Sequence, residues 1–510
     1  MTCRLAMVII LTGGALVSTG RAAGNSAALV LLQQQYAERH ARFAEEMEAL
    51  AAGVEAASAP EVASALRRFI PTLEEQTLNV DTLPDQVQSE LPVSFPEEER
   101  QWRAQLRRIR SDYAQDLYSL SRRALNAEHV SLAFHLVREV AFHDPDHRLA
   151  RQLLGYVRHE DRWVTPYEQF MLRRGNVWDD RFGWLPEPHV PRYQQGQRFF
   201  RGRWMSAADE AAQRHDFKNA WEIESDHFLI KTNQSLERGV ELSVALEKFH
   251  RYFRREFAAV FDSPQQMRQL FANGAGGGRG RPHRHEIHYY QSRDEFVFRL
   301  REKQPGIEVS NGLYLPSDRT AYFFYNPNDL AGNIETLYHE VTHQLLSESQ
   351  PKIVDVGQSG SFWLVEGIAC YLESFEINDG GSVSVGDPRH ARLHWARERR
   401  LKENFYVPLS QYTQMGMAAF QPRNGTETLQ KLYSQATGLT HFFMHFEDGL
   451  YRDALIEHLA QIYSPDSRQR DQPEPLDKLT GVSFAVLDQQ YLSYLTEMQA
   501  ALDASAAASR

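Results

Sequence analysis

The sequence predicts an α+β protein that is mainly helical, with a helical N-terminal region followed by a second half that holds a small mixed sheet. Two observations carry this prediction. Residues 27–125 are rich in Ala, Glu, Gln and Arg and show the apolar periodicity of long helices. Short strand-like runs begin near Ala220 and are interleaved with amphipathic helical patterns.

Residues 1–22 have the features of a signal peptide. Arg4 precedes an apolar stretch at residues 5–17, and Gly20 and Ala22 supply small residues at the −3 and −1 positions of a cleavage site. The mature chain is therefore expected to begin near Ala23 and to be secreted or periplasmic. No later stretch is apolar enough to cross a bilayer, so no membrane span is expected after cleavage.

The net charge disfavours some classes of binding partner, and the cysteine content limits disulfide formation. The formal net charge of the 510-residue chain is −11, which disfavours nucleic acid and anionic membrane surfaces as partners. Cys3 lies in the predicted signal peptide, so cleavage leaves Cys370 as the only cysteine. An intramolecular disulfide is then impossible.

Residues 23–125 are predicted to form a helical hairpin or a short coiled region, with helices at 31–57 and 97–125 and a proline-containing link at 84–96. Residues 126–218 follow. Their first part, 127–155, resembles a degenerate helical repeat, which would serve either as a platform for a protein partner or as a brace against the second half. The aromatic-rich residues 163–204 are interpreted as an irregular packed connector, in preference to a carbohydrate-binding segment.

Residues 219–465 are predicted to form one domain, and residues 466–510 a C-terminal helix with a frayed tail. The predicted elements of the domain are a hairpin (220–225 and 227–232), an amphipathic helix (242–257), a strand (286–290), a helix (293–302), two strands (312–315 and 321–325) and helices at 334–347, 362–372, 427–446 and 451–463. The glycine-rich tract 274–280 lacks the Gly-Lys-Ser/Thr ending of a phosphate loop and is expected to be a surface loop. The nearby His283, His285 and His288 are expected to be solvated.

The motif His339-Glu340-Val341-Thr342-His343 carries the most chemical information. A helix returns to the same face about every four residues, so both imidazoles point at one place and can hold a zinc ion. Glu340 lies over the same place, where it can take a proton from a water molecule on the metal. Asn333 is expected to cap this helix, which should begin at Ile334.

Glu366 is the candidate third ligand, because it lies in the middle of an apolar helix where an unpaired carboxylate is costly to bury. His339, His343 and Glu366 would then form the His₂Glu set of a catalytic zinc site with an open fourth position. Gly367 is expected to let the two helices approach closely. Glu373, two turns further on, is a candidate to orient a ligand histidine.

These two motifs, HExxH and W-x-x-E-G-x-A-x-Y, resemble those of the gluzincin clan of zinc metallopeptidases. More narrowly, they are similar to secreted bacterial proteins of unknown function with a peptidase-MA-like domain; the resemblance covers residues 219–464. It implies a gluzincin-like catalytic domain in which His339, His343 and Glu366 bind Zn²⁺ and Glu340 is the general base. It also implies that residues 321–324 form an edge strand that pairs with the substrate backbone. Thermolysin-like members have an aspartate one turn after the glutamate ligand, where this chain has Cys370.

The helix at 427–446 presents Tyr433, Thr437, His441 and His445 on one face. The two histidines lack a following glutamate and a third ligand, so a packed or surface pair is favoured over a second metal site. Tyr433 or His441 could instead donate a hydrogen bond to the oxyanion of a tetrahedral intermediate, and Tyr433 is preferred.

The sequence therefore predicts a secreted zinc metallopeptidase that acts on a peptide or protein substrate. Two alternatives stay open. One is a secreted binding or scaffold protein with a relic zinc site, in which the N-terminal helices bind a protein partner. The other is a zinc amidase that acts on cell-wall peptides.

Overall fold

The computed structural model describes residues 20–56, 59–70, 83–274, 284–350, 353, 355–378, 382–422 and 426–508. Residues 1–19 of the predicted signal peptide, residues 275–280 of the glycine-rich tract, and His283 lie outside this part of the chain. The described part is mainly helical with a small mixed sheet, as predicted. None of its helices combines the length and apolar character that crossing a bilayer requires.

The N-terminal helices are α1 (Gly20–Ala56), α2 (Pro60–Arg67), α3 (Glu97–Asn126), α4 (Val130–His143) and α5 (Arg148–Leu153). The predicted helices at 31–57 and 97–125 are confirmed as α1 and α3, and α2 was not foreseen. These five helices form a common core that also takes in Ala258, Met267 and Phe271 from the second half of the chain. This shared core favours the brace interpretation of the helical repeat.

The aromatic segment is regular, and its interpretation as an irregular connector was wrong. It forms three consecutive units, each a two-stranded hairpin followed by a helix. The units are β1 (Val157–His159), β2 (Arg162–Val164) and α6 (Pro166–Arg173); β3 (Asn176–Asp179), β4 (Gly183–Pro186) and α7 (Val190–Gln194); and β5 (Gln197–Phe200), β6 (Arg203–Ser206) and α8 (Ala207–Arg214).

A sequence signal for these units was present. Trp163, Trp184 and Trp204 each lie in the second strand of a unit, about twenty residues apart. Gly155 and Gly175 both have positive φ, and they lie just before β1 and β3, the first strands of two of the units. A glycine in this conformation commonly ends a helix.

The central sheet of the second half has five strands in the order β10-β11-β9-β8-β7. The strands are β7 (Trp221–Glu224), β8 (Phe228–Thr232), β9 (His285–Tyr290), β10 (Gly312–Leu315) and β11 (Thr320–Phe324). β9 is parallel to both of its neighbours, and the two outer pairs are antiparallel. The prediction that residues 321–324 form the edge was wrong, because β10 pairs with β11 and takes that position.

Helices cover this sheet and complete the domain. They are α9 (Leu236–Glu256), α10 (Ala258–Phe261), α11 (Pro264–Asn273), α12 (Arg293–Leu300), α13 (Leu330–Ser347), α14 (Phe362–Leu372), α15 (Ala391–Arg397), α16 (Leu409–Tyr412), α17 (Met417–Phe420), α18 (Thr426–His445), α19 (Arg452–Ile462), α20 (Ser467–Asp471), α21 (Leu476–Thr480) and α22 (Phe484–Ala508), with a short hairpin of β12 (Glu376–Ile377) and β13 (Val383–Ser384). The largest core joins the sheet with α9, α13, α14, α18 and α19. It therefore holds the two candidate zinc helices in fixed positions.

Candidate metal centre

Helix α13 carries the HExxH motif and begins one turn earlier than predicted. Asp329 is the N-cap, and its carboxylate accepts a hydrogen bond from the backbone N–H of Gly332 at 2.9 Å. Asn333 lies inside the helix, where its side-chain amide donates to the Asn326 carbonyl. The capping prediction was therefore wrong in position, because the chain already turns at Asp329.

Helix α14 occupies the predicted residues 362–372 and is buried along its whole length. Glu366 lies at its centre and is 7 % exposed. Gly367 does allow a close helix approach, but the neighbour is α18 rather than α13. A Cβ atom at this position would lie 2.5 Å from Thr440 Oγ1 and 3.0 Å from the Ala436 carbonyl oxygen.

The three predicted ligands converge. Nε2 of His339 and Nε2 of His343 are 3.2 Å apart. Oε2 of Glu366 is 3.6 Å from the first of these nitrogens and 3.7 Å from the second. With bonds of about 2.0–2.2 Å, a tetrahedral zinc ion separates its ligand atoms by about 3.3–3.6 Å, so the observed triangle fits zinc.

A second carboxylate fixes the orientation of His339. Nδ1 of His339 is 2.8 Å from Oε1 of Glu373, as the sequence suggested. A carboxylate only accepts, so Nδ1 carries a proton, and Nε2 is the nitrogen that faces Glu366 and His343. Arg392 holds Glu373 in turn through two hydrogen bonds of 2.7 and 2.8 Å. Cys370, in the place of the thermolysin-like aspartate, is fully buried with Sγ 4.0 Å from the same Nδ1.

The electrostatics of the group favour a positive charge at its centre. Burial alone would lower the pKa of His339, but hydrogen bonds with Cys370, Glu366 and Glu373 raise it well above its usual value. Burial would raise the pKa of Glu366, but the two histidines lower it, so the carboxylate stays ionised. The pKa of Glu373 falls to about 2 because His339 and Arg392 outweigh its burial.

Glu340 is held by the edge strand of the sheet. Its Oε2 accepts a hydrogen bond of 2.9 Å from the backbone N–H of Tyr314, in β10. This N–H therefore points away from β11, along the open side of the strand. The contact places the candidate base between the strand edge and the ligand histidines of α13.

The structure also brings Tyr433 to the centre. Its hydroxyl accepts a hydrogen bond of 2.8 Å from the side-chain amide of Gln421, and the same amide nitrogen is 3.5 Å from Oε1 of Glu366. Burial and the charge of Glu366 raise the pKa of Tyr433 above its usual value, so the hydroxyl keeps its proton. Sequence reasoning missed Gln421 and Arg392, which come from segments without a local motif.

His441 lies outside the group, and its structure does not support a catalytic role. Its Nε2–H donates to the Gly386 carbonyl at 2.9 Å, and its Nδ1 accepts from the Tyr494 hydroxyl at 2.7 Å. Both ring nitrogens are thus used. Burial lowers the pKa of His441 to about 4, which matches a neutral core histidine. His445 stacks on this ring and contacts the Tyr371 hydroxyl, as expected for a packed pair.

The predicted solvation of the β9 histidines was wrong. His285 Nδ1 lies 3.0 Å from Glu348 Oε2, and His288 Nε2 lies 2.7 Å from Glu286 Oε1. Their side chains are only 15 % and 18 % exposed. His285 thus links the sheet to the end of α13, and His288 is engaged within β9.

Comparisons with protein families, curated proteins and solved structures found no match to this chain.

Proposed function

We propose that the protein is a zinc-dependent metallopeptidase that hydrolyses peptide bonds, as the resemblance to gluzincins implies. The observation that carries the proposal is the convergence of His339 Nε2, His343 Nε2 and Glu366 Oε2 within 3.2–3.7 Å of one another. These three atoms would hold the ion. Glu340 is the next residue after the first ligand, and the signal-like start of the chain supports a site of action outside the cytoplasm.

When bound, zinc lowers the pKa of a coordinated water molecule and polarises a carbonyl oxygen. The protein's own groups do the rest. Glu340 takes a proton from the attacking water molecule and passes it to the leaving amine. The Tyr314 N–H holds the Glu340 carboxylate in place beforehand. The protonated Tyr433 hydroxyl donates a hydrogen bond to the developing oxyanion.

The position of β10 at the edge of the sheet supports an extended peptide as the substrate. Gly312 and Tyr314 pair with β11 in antiparallel register, so backbone groups of alternate residues face the open side. A peptide that adds as a further strand would use main-chain hydrogen bonds and tolerate varied side chains. A peptide strand added there would lie next to Glu340, whose carboxylate already accepts the Tyr314 N–H.

The test is the Glu340→Gln variant, assayed on casein and on a peptide library. Loss of the general base should lower turnover by about 10²–10⁴-fold, while the zinc content is unchanged. Glu335→Gln is the matched control, because Glu335 lies one turn earlier on the same helix and pairs with His390 rather than with the ligands. Equal hydrolysis by wild type and Glu340→Gln, or hydrolysis that a chelator does not reduce, would contradict the proposal.

A further inference from the structure

A second group of metal-ligating side chains lies at the turn between β7 and β8 and on the facing side of α9. It consists of His227, Glu247 and His250, with one ligand atom of each within 4.8 Å of the others. None of these residues belongs to the proposed catalytic centre. No local sequence motif marks the group, because its members come from a hairpin turn and a helix.

The carboxylate of Glu247 is fixed at this turn. Its Oε2 is 2.8 Å from His227 Nδ1, and its Oε1 accepts from the His227 backbone N–H at 2.7 Å and from the Ser225 hydroxyl at 2.6 Å. The side chain is 12 % exposed. A carboxylate so oriented is a preformed oxygen ligand.

His250 supplies a buried imidazole. It is 7 % exposed, and within the described part of the chain its ring makes no hydrogen bond. The ring stacks on His227, with centroids 3.8 Å apart and an interplanar angle of 21°. The ring therefore offers a nitrogen ligand close to the Glu247 carboxylate.

Charges of both signs surround the group. Asp226 lies in the same turn and interacts with His227 and Glu247. His285 packs near the other side of His250, with ring centroids 6.1 Å apart. Arg251 and Arg254 place positive charge near His250.

We propose that His227, Glu247 and His250 bind a second divalent transition-metal ion, for which zinc suits the mixed nitrogen and oxygen ligands. The His227 side chain is 35 % exposed, so an ion can reach the group from solvent. The ion then ties the β7–β8 hairpin to α9.

The test measures zinc per chain by mass spectrometry on the untagged full chain, after zinc loading and exhaustive dialysis. Wild type should retain two ions, and His250→Gln and Glu247→Gln one each. Glu366→Gln should also retain one, and the Glu366→Gln/His250→Gln double variant none. His288→Gln, altered on the neighbouring strand outside the group, should retain two.

Unchanged zinc content in Glu247→Gln and His250→Gln would overturn the inference and leave the proposed function standing. Zinc lost in His250→Gln but not in Glu366→Gln would instead contradict the proposed function and support the second site. Circular dichroism checks that each variant folds. His227→Gln, at the partly exposed ligand, gives the same readout if His250→Gln does not fold.

Discussion

Helices α13 and α18 each carry a pair of histidines four residues apart, and of these two pairs the one on α13 lies close to a third candidate ligand. On α13, the rings of His339 and His343 are inclined at 76°, and their Nε2 atoms meet 3.2 Å apart. On α18, the rings of His441 and His445 are stacked at 25°, and both nitrogens of His441 are bonded to protein groups.

The difference lies in what surrounds each pair. Glu366 brings a buried carboxylate to the first pair, and Glu373 accepts a hydrogen bond from Nδ1–H of His339, so that Nε2 faces Glu366 and His343. A carbonyl and a hydroxyl satisfy His441 instead. Helical spacing therefore brings two imidazoles together, but neighbouring elements decide whether their lone pairs are available.

The largest expected effect comes from the ligands. Glu366→Gln and His343→Ala should each remove one zinc ion per chain and abolish turnover, because two remaining ligands hold zinc poorly. His445→Ala is the matched variant of the other pair and should keep both zinc and turnover. The measurements are zinc content and peptide hydrolysis. Equal zinc loss from His445→Ala would remove the distinction between the two pairs.

Tyr433→Phe tests the residue of α18 that does face the metal centre. Loss of one oxyanion donor should lower kcat by about 10²–10³-fold, with little change in KM or zinc content. Tyr494→Phe serves as the control, since this hydroxyl donates to His441 and should leave kcat unchanged. A Tyr433→Phe enzyme with full kcat would exclude this tyrosine from the reaction.

Glu373→Gln sharpens the role of the orienting carboxylate. Zinc affinity should fall by about 10-fold, at the lower end of the usual 10–100-fold range. The fall is small because the amide oxygen of Gln still accepts a hydrogen bond from Nδ1–H of His339. Competition with a chelator measures the affinity. Glu376→Gln, an exposed change nearby, should leave it unaltered.

The smallest expected effect is the pH dependence of stability due to His441. Its pKa is about 4 in the folded protein and 6.5 without burial, so its stabilising contribution is complete above pH 6.5. That contribution, roughly 3 kcal/mol at most, is lost as the pH falls from 6.5 to 4, because the unfolded chain takes up the proton first. Urea unfolding of the metal-free protein at pH 7.5, 5.5 and 4.5 measures it. His441→Gln should flatten this slope, and an unchanged slope would contradict the assignment.

The candidate site was largely predictable because its parts follow local rules. The spacing of His339 and His343 is set by the helix period, and Glu366 stands out as a charge within an apolar helix. Elements with strong periodicity, such as α9, α13, α14 and α18, were also found at or near their predicted positions.

Features that depend on contacts distant in sequence were missed. Strand order depends on pairing between strands that are far apart in the sequence. The edge strand is therefore β10 and not the predicted residues 321–324. Gln421 reaches the centre from the segment after α17 and Arg392 from the short helix α15, and no local motif marks either residue. The three hairpin–helix units were not predicted, because single short strands carry little periodic signal. The recurrence of tryptophan about every twenty residues was the sequence feature that marks them.

Anomalous diffraction at the zinc absorption edge, from crystals of the zinc-loaded protein, shows directly whether His339, His343 and Glu366 bind the ion. We expect a peak about 2.0–2.2 Å from Nε2 of His339, Nε2 of His343 and a carboxylate oxygen of Glu366. A fully zinc-loaded crystal with no peak between these three side chains would contradict the proposed zinc site.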